Sequence, residues 1–441
     1  MALARYLVGQ GAAVVVSDQQ PPARLQAELD ALSGLPLEFA LGGHPQSLLD
    51  GADVLCISGG VPLDIPIVQA ARERAIPLSN DAQIFLERCP AMVLGVTGSA
   101  GKTTTTTLLG RMATAAGEAQ GFQVFVGGNI GRPLLLDLER ISAGDLVVME
   151  LSSFQLELME VSPAVAAVLN ITPNHLDRHG TMQAYTAAKA RILDFQSEED
   201  TAVLGRDDPG AWNLRERVHG QLVTFGRDPL EDHDGVFLED GTIMLRRAGA
   251  TQPVIVCSEI QLRGEHNRWN VMAACAIAAA GGLTVEVMRT GIAGFRGVAH
   301  RLEFVRSIKG ADWYNDSIAT TPERAIAALR SFDAPIVLLA GGRDKKLSWE
   351  TFAQVAQSRV HHLVVFGEAS QKIRAAVEPC VGSGCLEAVL PATDLEEAVR
   401  IAHREAQVGD VVLLAPGGTS YDAYKDFEAR GEHFRRLVNA I

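Results

Sequence analysis

The residues of this chain best suited to chemistry form a short loop, residues 98–104, with the sequence Gly-Ser-Ala-Gly-Lys-Thr-Thr. An apolar run at 92–96 precedes the loop, and a helical pattern at 105–116 follows it. A glycine turn between a strand and a helix aims backbone N–H groups and the positive end of the helix dipole at one point, which suits a phosphate. We expect Lys102 to reach the outer phosphates of a nucleotide and Thr103 to offer a hydroxyl to Mg²⁺. The alternative is an ordinary glycine turn into a helix.

Three more polar residues occupy positions where a metal or phosphate site could form. An apolar strand pattern at 145–150 ends in Glu150, where P-loop proteins place a second metal ligand. His175 follows another strand end, and a neutral imidazole can bind a metal. Lys189 lies in a helical pattern at 182–193. Each also has a plain structural interpretation: a solvated strand-end acid, a hydrogen-bonded loop histidine and a solvated lysine.

Two asparagines precede a helical pattern at 271–280. Asn267 and Asn270 are three residues apart, so they would share a face if the helix began early. Side-chain amides can recognise a nucleotide base through paired donors and acceptors. Helix capping explains an asparagine at this position equally well.

The last third of the chain has glycine-rich loops after predicted strands. Two of these loops, at 341–346 and 416–420, follow apolar strand patterns. A third strand pattern ends at Asp316, just before a predicted helix start at 320–323. Ligands of open α/β sheets bind at the carboxyl ends of the strands. These loops therefore predict a second substrate site, apart from the phosphate-binding loop.

Strand-like and helix-like segments alternate along the chain, a pattern typical of parallel sheets covered by helices, so we predict an α/β fold. We divide it into three domains: 1–88, Rossmann-like; 89–297, a central P-loop domain; and 298–441, Rossmann-like. The first domain begins with a helix at 2–7 and a strand at 13–16 that leads to Asp18. Since a dinucleotide-type half domain has a strand and a glycine turn ahead of these elements, we expect this domain to lack its first strand.

Composition narrows the class of partner. The 441 residues include 39 basic and 53 acidic ones, for a net charge of −14, which disfavours nucleic acid and anionic membranes as partners. Six cysteines are scattered without a Cys-x-x-Cys pair, as in a reduced compartment. The longest apolar run, at 271–283, is too short to span a bilayer, and because no basic region precedes an apolar core near residue 1, we expect no secretion signal. We expect a cytoplasmic protein.

These segments together resemble the Mur ligases, ATP-dependent enzymes that add amino acids to the cytoplasmic peptidoglycan precursor. Residues 97–104 match the family's form of the P-loop, and the match runs in order from Ser58 to Phe427. Residues 127–131, 151–157 and 417–422 are most similar to the branch that adds D-glutamate. The Asp-Asn-Pro-Arg motif of the branch that adds diaminopimelate or lysine is absent.

The resemblance implies a role for each matching residue. It implies that ATP is bound by the loop residues Gly98, Ser99, Ala100, Gly101, Lys102, Thr103 and Thr104 and by Asn267, Asn270, Arg301 and Asp316. It implies two Mg²⁺ ions held with Thr103, Glu150, His175 and Lys189, the last as a carbamate formed with CO₂. It implies that Lys102, Glu150, His175 and Lys189 are the catalytic residues. Residues Ser58, Asn129 and Ser152 fall on the UDP-sugar side, and Thr320, Lys345, Ser420 and Phe427 in the D-glutamate pocket.

The implied activity is an ADP-forming ligase that adds D-glutamate to UDP-N-acetylmuramoyl-L-alanine through an acyl phosphate, in a protein that is a monomer. The P-loop and the amino-acid pocket are expected to meet in a shared cleft. One departure concerns Ile318, where the family typically carries a lysine; Lys346, beside Lys345, is a candidate to replace that charge. The alternatives are another ligase of the superfamily, such as another Mur ligase or a folylpolyglutamate synthase, or a catalytically impaired nucleotide-binding homologue.

Overall fold

The computed structural model describes residues 1–131, 133–229, 232–262, 264–345 and 347–441. The chain forms two compact units, Met1–Phe295 and Arg296–Ile441. The division into three domains stays a prediction. Across the described ranges, no helix combines the length and the apolar character needed to cross a bilayer.

The first unit contains thirteen strands within the described residues. They are β1 (Val14–Asp18), β2 (Leu37–Leu41), β3 (Leu55–Cys56), β4 (Leu78–Ser79), β5 (Met92–Thr97), β6 (Val124–Gly128), β7 (Leu146–Glu150), β8 (Val165–Val168), β9 (Thr201–Gly205), β10 (Gln221–Phe225), β11 (Asp234–Glu239), β12 (Thr242–Arg247) and β13 (Ala250–Val256). Its helices are α1 (Ala2–Gly9), α2 (Gln26–Leu32), α3 (Pro66–Glu73), α4 (Asp81–Arg88), α5 (Lys102–Gln120), α6 (Ser153–Leu156), α7 (Leu176–His179), α8 (Met182–Asp194), α9 (Pro209–Trp212), α10 (Glu265–Ala280) and α11 (Val285–Ile292).

A large sheet organises most of this unit. Its strand order is β13-β12-β11-β10-β9-β8-β5-β7-β6, and the pairs from β11 to β6 are parallel. Strands β7 and β8 are buried along their whole length, and β5 is buried from its second residue on. Such continuous apolar runs are what a parallel sheet covered on both faces requires. Helix α5 covers this sheet and packs against α10 and α11.

The far side of the sheet departs from the predicted parallel pattern. Strands β11, β12 and β13 form an antiparallel meander. Two tight turns explain it: Asp240-Gly241 and Ala248-Gly249 have positive φ at both residues, as a two-residue hairpin turn requires. The expectation of parallel strands throughout is therefore wrong for residues 234–256, and the turn dipeptides that reverse the chain are visible in the sequence.

The beginning of the chain forms two small parallel sheets, β1 with β2 and β3 with β4. Helix α1 precedes β1, and Asp18 ends that strand, as the sequence predicts. The proposed missing first strand stays a prediction.

The second unit has a sheet with the strand order β14-β15-β19-β16-β17-β18. Its strands are β14 (Glu303–Ile308), β15 (Ala311–Asn315), β16 (Ile336–Gly341), β17 (Val360–Phe366), β18 (Ala388–Pro391) and β19 (Val411–Gly417), and its helices are α12 (Pro322–Leu329), α13 (Glu350–Arg359), α14 (Ser370–Val377), α15 (Leu395–Glu405) and α16 (Phe427–Ala440). All pairs are parallel except β14 with β15, which Lys309-Gly310 joins by another positive-φ turn. The predicted polar loops follow β15, β16 and β19 and so lie at one edge of this sheet.

Candidate active site

The glycine-rich loop lies between β5 and α5, as predicted, although α5 begins at Lys102 rather than Thr105. Gly101 is the N-cap residue, with φ of 82°, and no side chain caps the helix. A helix start without a side-chain cap leaves its first N–H groups for a ligand. Thr103 is half-buried and Thr104 is buried in that first turn. The loop is therefore shaped to receive an anion.

Gly101 is required in this loop for two reasons. Its backbone is left-handed, and a Cβ there would overlap Oδ1 of Asn270. We predict that Gly101→Ala weakens ATP binding at least about tenfold. The loop would have to move away from Asn270, and alanine would be strained in the left-handed backbone conformation. Calorimetric titration with Mg·ATP measures this effect.

Gly121→Ala is the matched control for that substitution. Gly121 caps the other end of α5 with φ of 84°, and nothing lies within 4 Å of an added Cβ. It carries the same backbone strain far from the loop, so its ATP affinity should match the parent chain. Equal affinities for both variants and the parent would contradict the role given to Gly101.

Two lysines converge on one carbonyl oxygen of the loop. Nζ of Lys102 and Nζ of Lys189 each donate to the Gly98 carbonyl at 2.9 Å, and Nζ of Lys189 also lies 3.3 Å from Oγ1 of Thr97. Lys189 is 1% exposed and its amine lies 4.9 Å from the centre of the Tyr185 ring. Helix α8 therefore places Lys189 in a buried position beside the loop. The sequence alone favoured a solvated side chain for this lysine.

The environment of Lys189 disfavours its charged form. Its pKa is lowered to about 6, chiefly by burial and also by the charge of Lys102, while the charge of Glu150 opposes the shift. An amine with that pKa is largely unprotonated at neutral pH, and the unprotonated form is the nucleophilic one. Lys189 is thus a buried amine whose charged form is disfavoured, and the charges of Lys102 and Glu150 both act on it.

Glu150 ends β7 with a carboxylate that is 1% exposed. Its Oε1 accepts from Nδ2 of Asn129 at 2.9 Å, whereas its Oε2 is buried without a hydrogen-bond partner. A buried, unpartnered carboxylate oxygen is costly unless a cation binds it. In the described part of the chain no three His, Cys, Asp or Glu residues cluster to hold a metal ion. Mg²⁺ commonly uses one or two protein ligands plus phosphate oxygens and water, so Glu150 and Thr103 fit such an ion.

His175 lies at the start of α7 in a left-handed backbone conformation, with φ of 53°. It is exposed, and its ring contacts Phe154 edge-on, with 5.1 Å between centroids. His179, one helical turn later, was not among the residues predicted from the sequence. Its Nε2 lies 3.0 Å from Oγ of Ser153, and its ring stacks on Phe154. The i, i+4 spacing of the two histidines is the signal that could have found it.

The other two residues predicted for the UDP-sugar side, Ser58 and Ser152, lie with Asn129 in the first unit. Ser152 caps α6 in a capping box with Gln155. Ser58 is exposed in the loop after β3. The guanidinium of Arg178, on α7, donates to the carbonyls of Gly60 and Val61 in that loop. The segment around Ser58 is thereby tied to the helix that follows His175.

Asn267 and Asn270 do share a helix face, because α10 begins at Glu265, six residues earlier than predicted. Nδ2 of Asn270 donates to Oδ1 of Asn267 at 2.9 Å. Asn270 is buried directly against Gly101 of the loop. The pair is therefore placed beside the phosphate-binding loop, and the alternative of simple capping does not account for it, since Gly264 is the N-cap.

In the second unit, Asp316 is buried at the end of β15. Its Oδ1 accepts from the Leu302 N–H at 3.0 Å. Burial raises its pKa to about 6, against the lowering effects of that hydrogen bond and of Arg301 and Arg324. Two arginines thus face one buried carboxylate.

A raised carboxyl pKa makes stability depend on pH with a definite sign. Because the folded state holds the Asp316 proton more tightly than the unfolded state, this group's contribution to the free energy of unfolding falls as pH rises from about 4 to about 6. The full loss is roughly 3 kcal/mol above that range. We predict that Asp316→Asn flattens this pH dependence and raises stability at pH 7.5, while Asp333→Asn, at a fully exposed aspartate, does neither. Urea unfolding followed by tryptophan fluorescence tests it, and an unchanged slope in Asp316→Asn would refute it.

Three of the four predicted D-glutamate residues lie on loops of the second unit, and Phe427 begins α16. Thr320 follows β15, and Ser420 is buried after β19. The loops after β16 and β19 are joined by mutual backbone hydrogen bonds between Arg343 and Thr419. Lys345 is exposed in the first of these loops. The sheet therefore gathers Lys345 and Ser420 onto adjoining loops.

A buried arginine that was not predicted from the sequence connects two more loops at the carboxyl ends of these strands. Arg430, on α16, is 0% exposed and donates to Oγ and the carbonyl of Ser317 and to the carbonyl of Gly418. Phe427, one turn earlier, is half-buried, and its carbonyl accepts from Oγ of Ser317. Helix α16 thereby holds the loops after β15 and β19 together.

Ile318 has a cation beside it. Nη1 of Arg324 donates to the Ile318 carbonyl at 3.3 Å. The pKa of Arg324 is lowered by burial and by Arg301 and raised by Asp316, so these three charged groups are close together. Lys346, the other candidate for this charge, lies outside the described residues.

Comparison with known proteins agrees with this arrangement. The family model described as the Mur ligase middle domain matches residues 96–278, and the model described as the Mur ligase, glutamate ligase domain matches residues 300–418. The chain is 41% identical to the UDP-N-acetylmuramoylalanine--D-glutamate ligase of Symbiobacterium thermophilum, over all of this chain and 96% of that protein. It is 39% identical to the enzyme of the same name from Acetivibrio thermocellus, over all of this chain and 94% of that protein.

Solved structures show the same fold. The UDP-N-acetylmuramate-alanine ligase MurC of Thermotoga maritima matches with a TM-score of 0.55 at 20% identity, covering all of this chain and 96% of that one. The MurF ligase of Thermotoga maritima in complex with ADP matches with a TM-score of 0.53 at 19% identity, covering 88% of this chain and 96% of that one.

Proposed function

This chain belongs to the Mur ligase family, and we propose that it joins D-glutamate to UDP-N-acetylmuramoyl-L-alanine at the expense of ATP, in peptidoglycan precursor synthesis. The relatives named for that activity match the chain over its whole length. The observation that carries the proposal is the convergence of Lys102 and Lys189 on the Gly98 carbonyl of the phosphate-binding loop, with the charge of Glu150 close enough to act on Lys189.

The reaction must first activate a poor acyl donor. The L-alanine carboxylate attacks the γ-phosphorus of ATP, the bond to the β,γ-bridging oxygen breaks, and an acyl phosphate and ADP result. The unprotonated amine of D-glutamate then attacks the acyl carbon, and the tetrahedral intermediate expels phosphate as the amide forms. The nitrogen loses a proton to solvent or base. Both reactants of the first step are anions, so positive charge around them lowers its barrier.

Lys102 and the N-terminal N–H groups of α5 would hold the ATP phosphates. Asn267 and Asn270 lie beside that loop, where the amides would contact the adenine. Thr103 and Glu150 are the residues that would hold a first Mg²⁺, and His175 would help to hold a second one; bound Mg²⁺ neutralises charge between the phosphates and the carboxylate. The unpartnered Oε2 of Glu150 supports this assignment.

Lys189 would act as a carbamate. Its unprotonated Nζ attacks CO₂, a C–N bond forms, and one proton leaves, so a buried neutral amine becomes an anion. The pKa of about 6 supports this chemistry, because CO₂ reacts only with a free amine. The anion would lie beside Lys102 and become a second ligand for Mg²⁺, which an ammonium cannot be.

The substrates would be divided between the parts of the fold. Ser58, Asn129 and Ser152 would contact the UDP-sugar. Arg301 and Asp316 would contact the ribose and phosphates of ATP. The D-glutamate pocket would consist of Thr320, Lys345, Ser420 and Phe427.

We further propose three domains, 1–88, 89–297 and 298–441, the outer two Rossmann-like and the first without its first strand, in a cytoplasmic monomer. The two small parallel sheets at the start of the chain and the parallel-dominated sheets after them are compatible with this division.

Phosphate release separates this function from its alternatives. With ATP, Mg²⁺, bicarbonate and UDP-N-acetylmuramoyl-L-alanine, we expect release with D-glutamate and not with L-glutamate, L-lysine or diaminopimelate. Release only with another acceptor, or with a folate and glutamate, would assign the chain to a different ligase of the superfamily. No release with any acceptor, while ATP still binds, would identify an impaired nucleotide-binding homologue.

A further inference from the structure

Asn170 is attached to the phosphate-binding loop through both its side chain and its main chain. Its Oδ1 accepts from the Ala100 N–H at 2.8 Å, and its Nδ2 donates to the Ala100 carbonyl at 3.1 Å. Its own carbonyl accepts from the Ser99 N–H at 3.0 Å. Three hydrogen bonds therefore join one residue to the two in the middle of the loop.

The sheet register brings these residues together. Strands β5 and β8 run in parallel, and Thr97 pairs with Val168 at their ends. The Leu169 N–H donates to the Thr97 carbonyl at 3.0 Å, so the two chains remain side by side beyond the strands. A side chain at Gly98 would press against Cβ of Leu169, and the glycine allows this close approach.

Ser99 strengthens the same connection. Its Oγ donates to the Thr172 carbonyl at 3.0 Å and accepts from the Thr172 N–H at 2.9 Å. The segment 170–172 thus occupies the N–H groups of Ser99 and Ala100 on one side of the loop. The N–H groups of the first turn of α5, which has no side-chain cap, precede the first bond of the helix, from the Thr105 N–H to the Gly101 carbonyl, and are suited to bind an anion.

We propose that Asn170 is a positioning residue for nucleotide binding: its amide holds the phosphate-binding loop in the conformation that accepts the ATP phosphates. A primary amide offers a donor and an acceptor together, and both are used on Ala100; a carboxylate cannot donate and an apolar side chain can do neither. The inference rests on the ATP binding proposed above.

Removal of the amide should affect affinity more than stability. Asn170 is half-buried and the bonded groups of Ala100 are accessible to water, so water replaces the lost partners in the folded protein. The loop, however, gains conformational freedom that ATP binding must then remove. Asn170→Ala should raise the Kd for Mg·ATP about tenfold.

The test compares Asn170→Ala with Asn213→Ala in the full chain. Asn213 is an exposed residue at the end of α9, so its loss removes an amide away from the loop. Calorimetry should show the tenfold loss for Mg·ATP only in Asn170→Ala, with an unchanged Kd for UDP-N-acetylmuramoyl-L-alanine. Hydrogen exchange should be faster at residues 98–102 of that variant, and its unfolding temperature should match that of the control.

The possible outcomes distinguish a failure of the role proposed for Asn170 from a failure of the proposed function. If the parent chain fails to bind ATP, the proposed function falls and the inference falls with it. If the parent binds ATP and Asn170→Ala binds it within twofold of the parent, the inference alone is overturned. Weaker binding of both ligands together with a lower unfolding temperature also overturns it, because Asn170 would then be a general structural residue.

Discussion

Lys189→Ala is expected to lower the rate of D-glutamate ligation by about a thousandfold or more. The substitution removes the amine that would carry the carbamate and leaves Glu150 as a buried charge without that neighbour. Added bicarbonate should not restore the rate, since alanine cannot react with CO₂. Initial rates of phosphate release at saturating ATP measure the effect.

Lys425→Ala is the control for this substitution, because the Lys425 side chain is 82% exposed. It should retain the parent rate. A direct readout accompanies the rates: the parent chain in ¹³CO₂ should give a carbamate carbon resonance that Lys189→Ala lacks. A rate for Lys189→Ala close to that of the parent would remove the carbamate from the mechanism.

Glu150→Gln should lower kcat by about a hundredfold at a fixed Mg²⁺ concentration and raise the Mg²⁺ concentration needed for half-maximal rate by about 10–100-fold. Glutamine has nearly the same shape, and its Oε1 can still accept from Asn129, so the end of β7 keeps its structure. What is lost is the negative charge on the oxygen that has no hydrogen-bond partner. A Mg²⁺ titration of the ligation rate measures both quantities.

The matched control is Glu118→Gln, an exposed glutamate near the far end of α5. Its Mg²⁺ dependence should be that of the parent. If Glu150→Gln shows the same Mg²⁺ dependence as the parent, Glu150 has another role in the site.

The order of elements around the loop could be predicted from the sequence because local pattern determines it. The apolar run of β5, the glycines and the helical pattern of α5 are all adjacent in the chain, and Glu150 ends an apolar strand in the same way. The general expectation of parallel sheets missed the antiparallel strands at 234–256, because an apolar strand pattern does not indicate the direction of a strand. The two-residue turns at Asp240-Gly241 and Ala248-Gly249 do indicate a reversal of the chain.

The burial of Lys189 depends on tertiary packing, so it could not be predicted from the residue type alone. A signal exists in its neighbours, since Tyr185, Ala188, Ile192 and Leu193 form the apolar face of α8 and Lys189 lies within it. The Asn170 pairing with Ala100 had no such signal, because it depends on which strand lies beside β5. The burial of Arg430 could not be predicted either, because it depends on how α16 packs against the loops that contain Ser317 and Gly418.

The position of β5 in its sheet has a consequence for how the chain is made. Its partners β7 and β8 both follow it in sequence. Thr97 therefore cannot pair with Val168 until the ribosome has synthesised about 70 more residues. At about 5–20 residues per second, a ribosome takes roughly 4 to 14 seconds to deliver that partner. During this interval the nascent strand and the apolar side of α5 are open to the wrong contacts. Slower growth at low temperature, or more chaperone, should therefore raise the yield of native protein more than stronger transcription does.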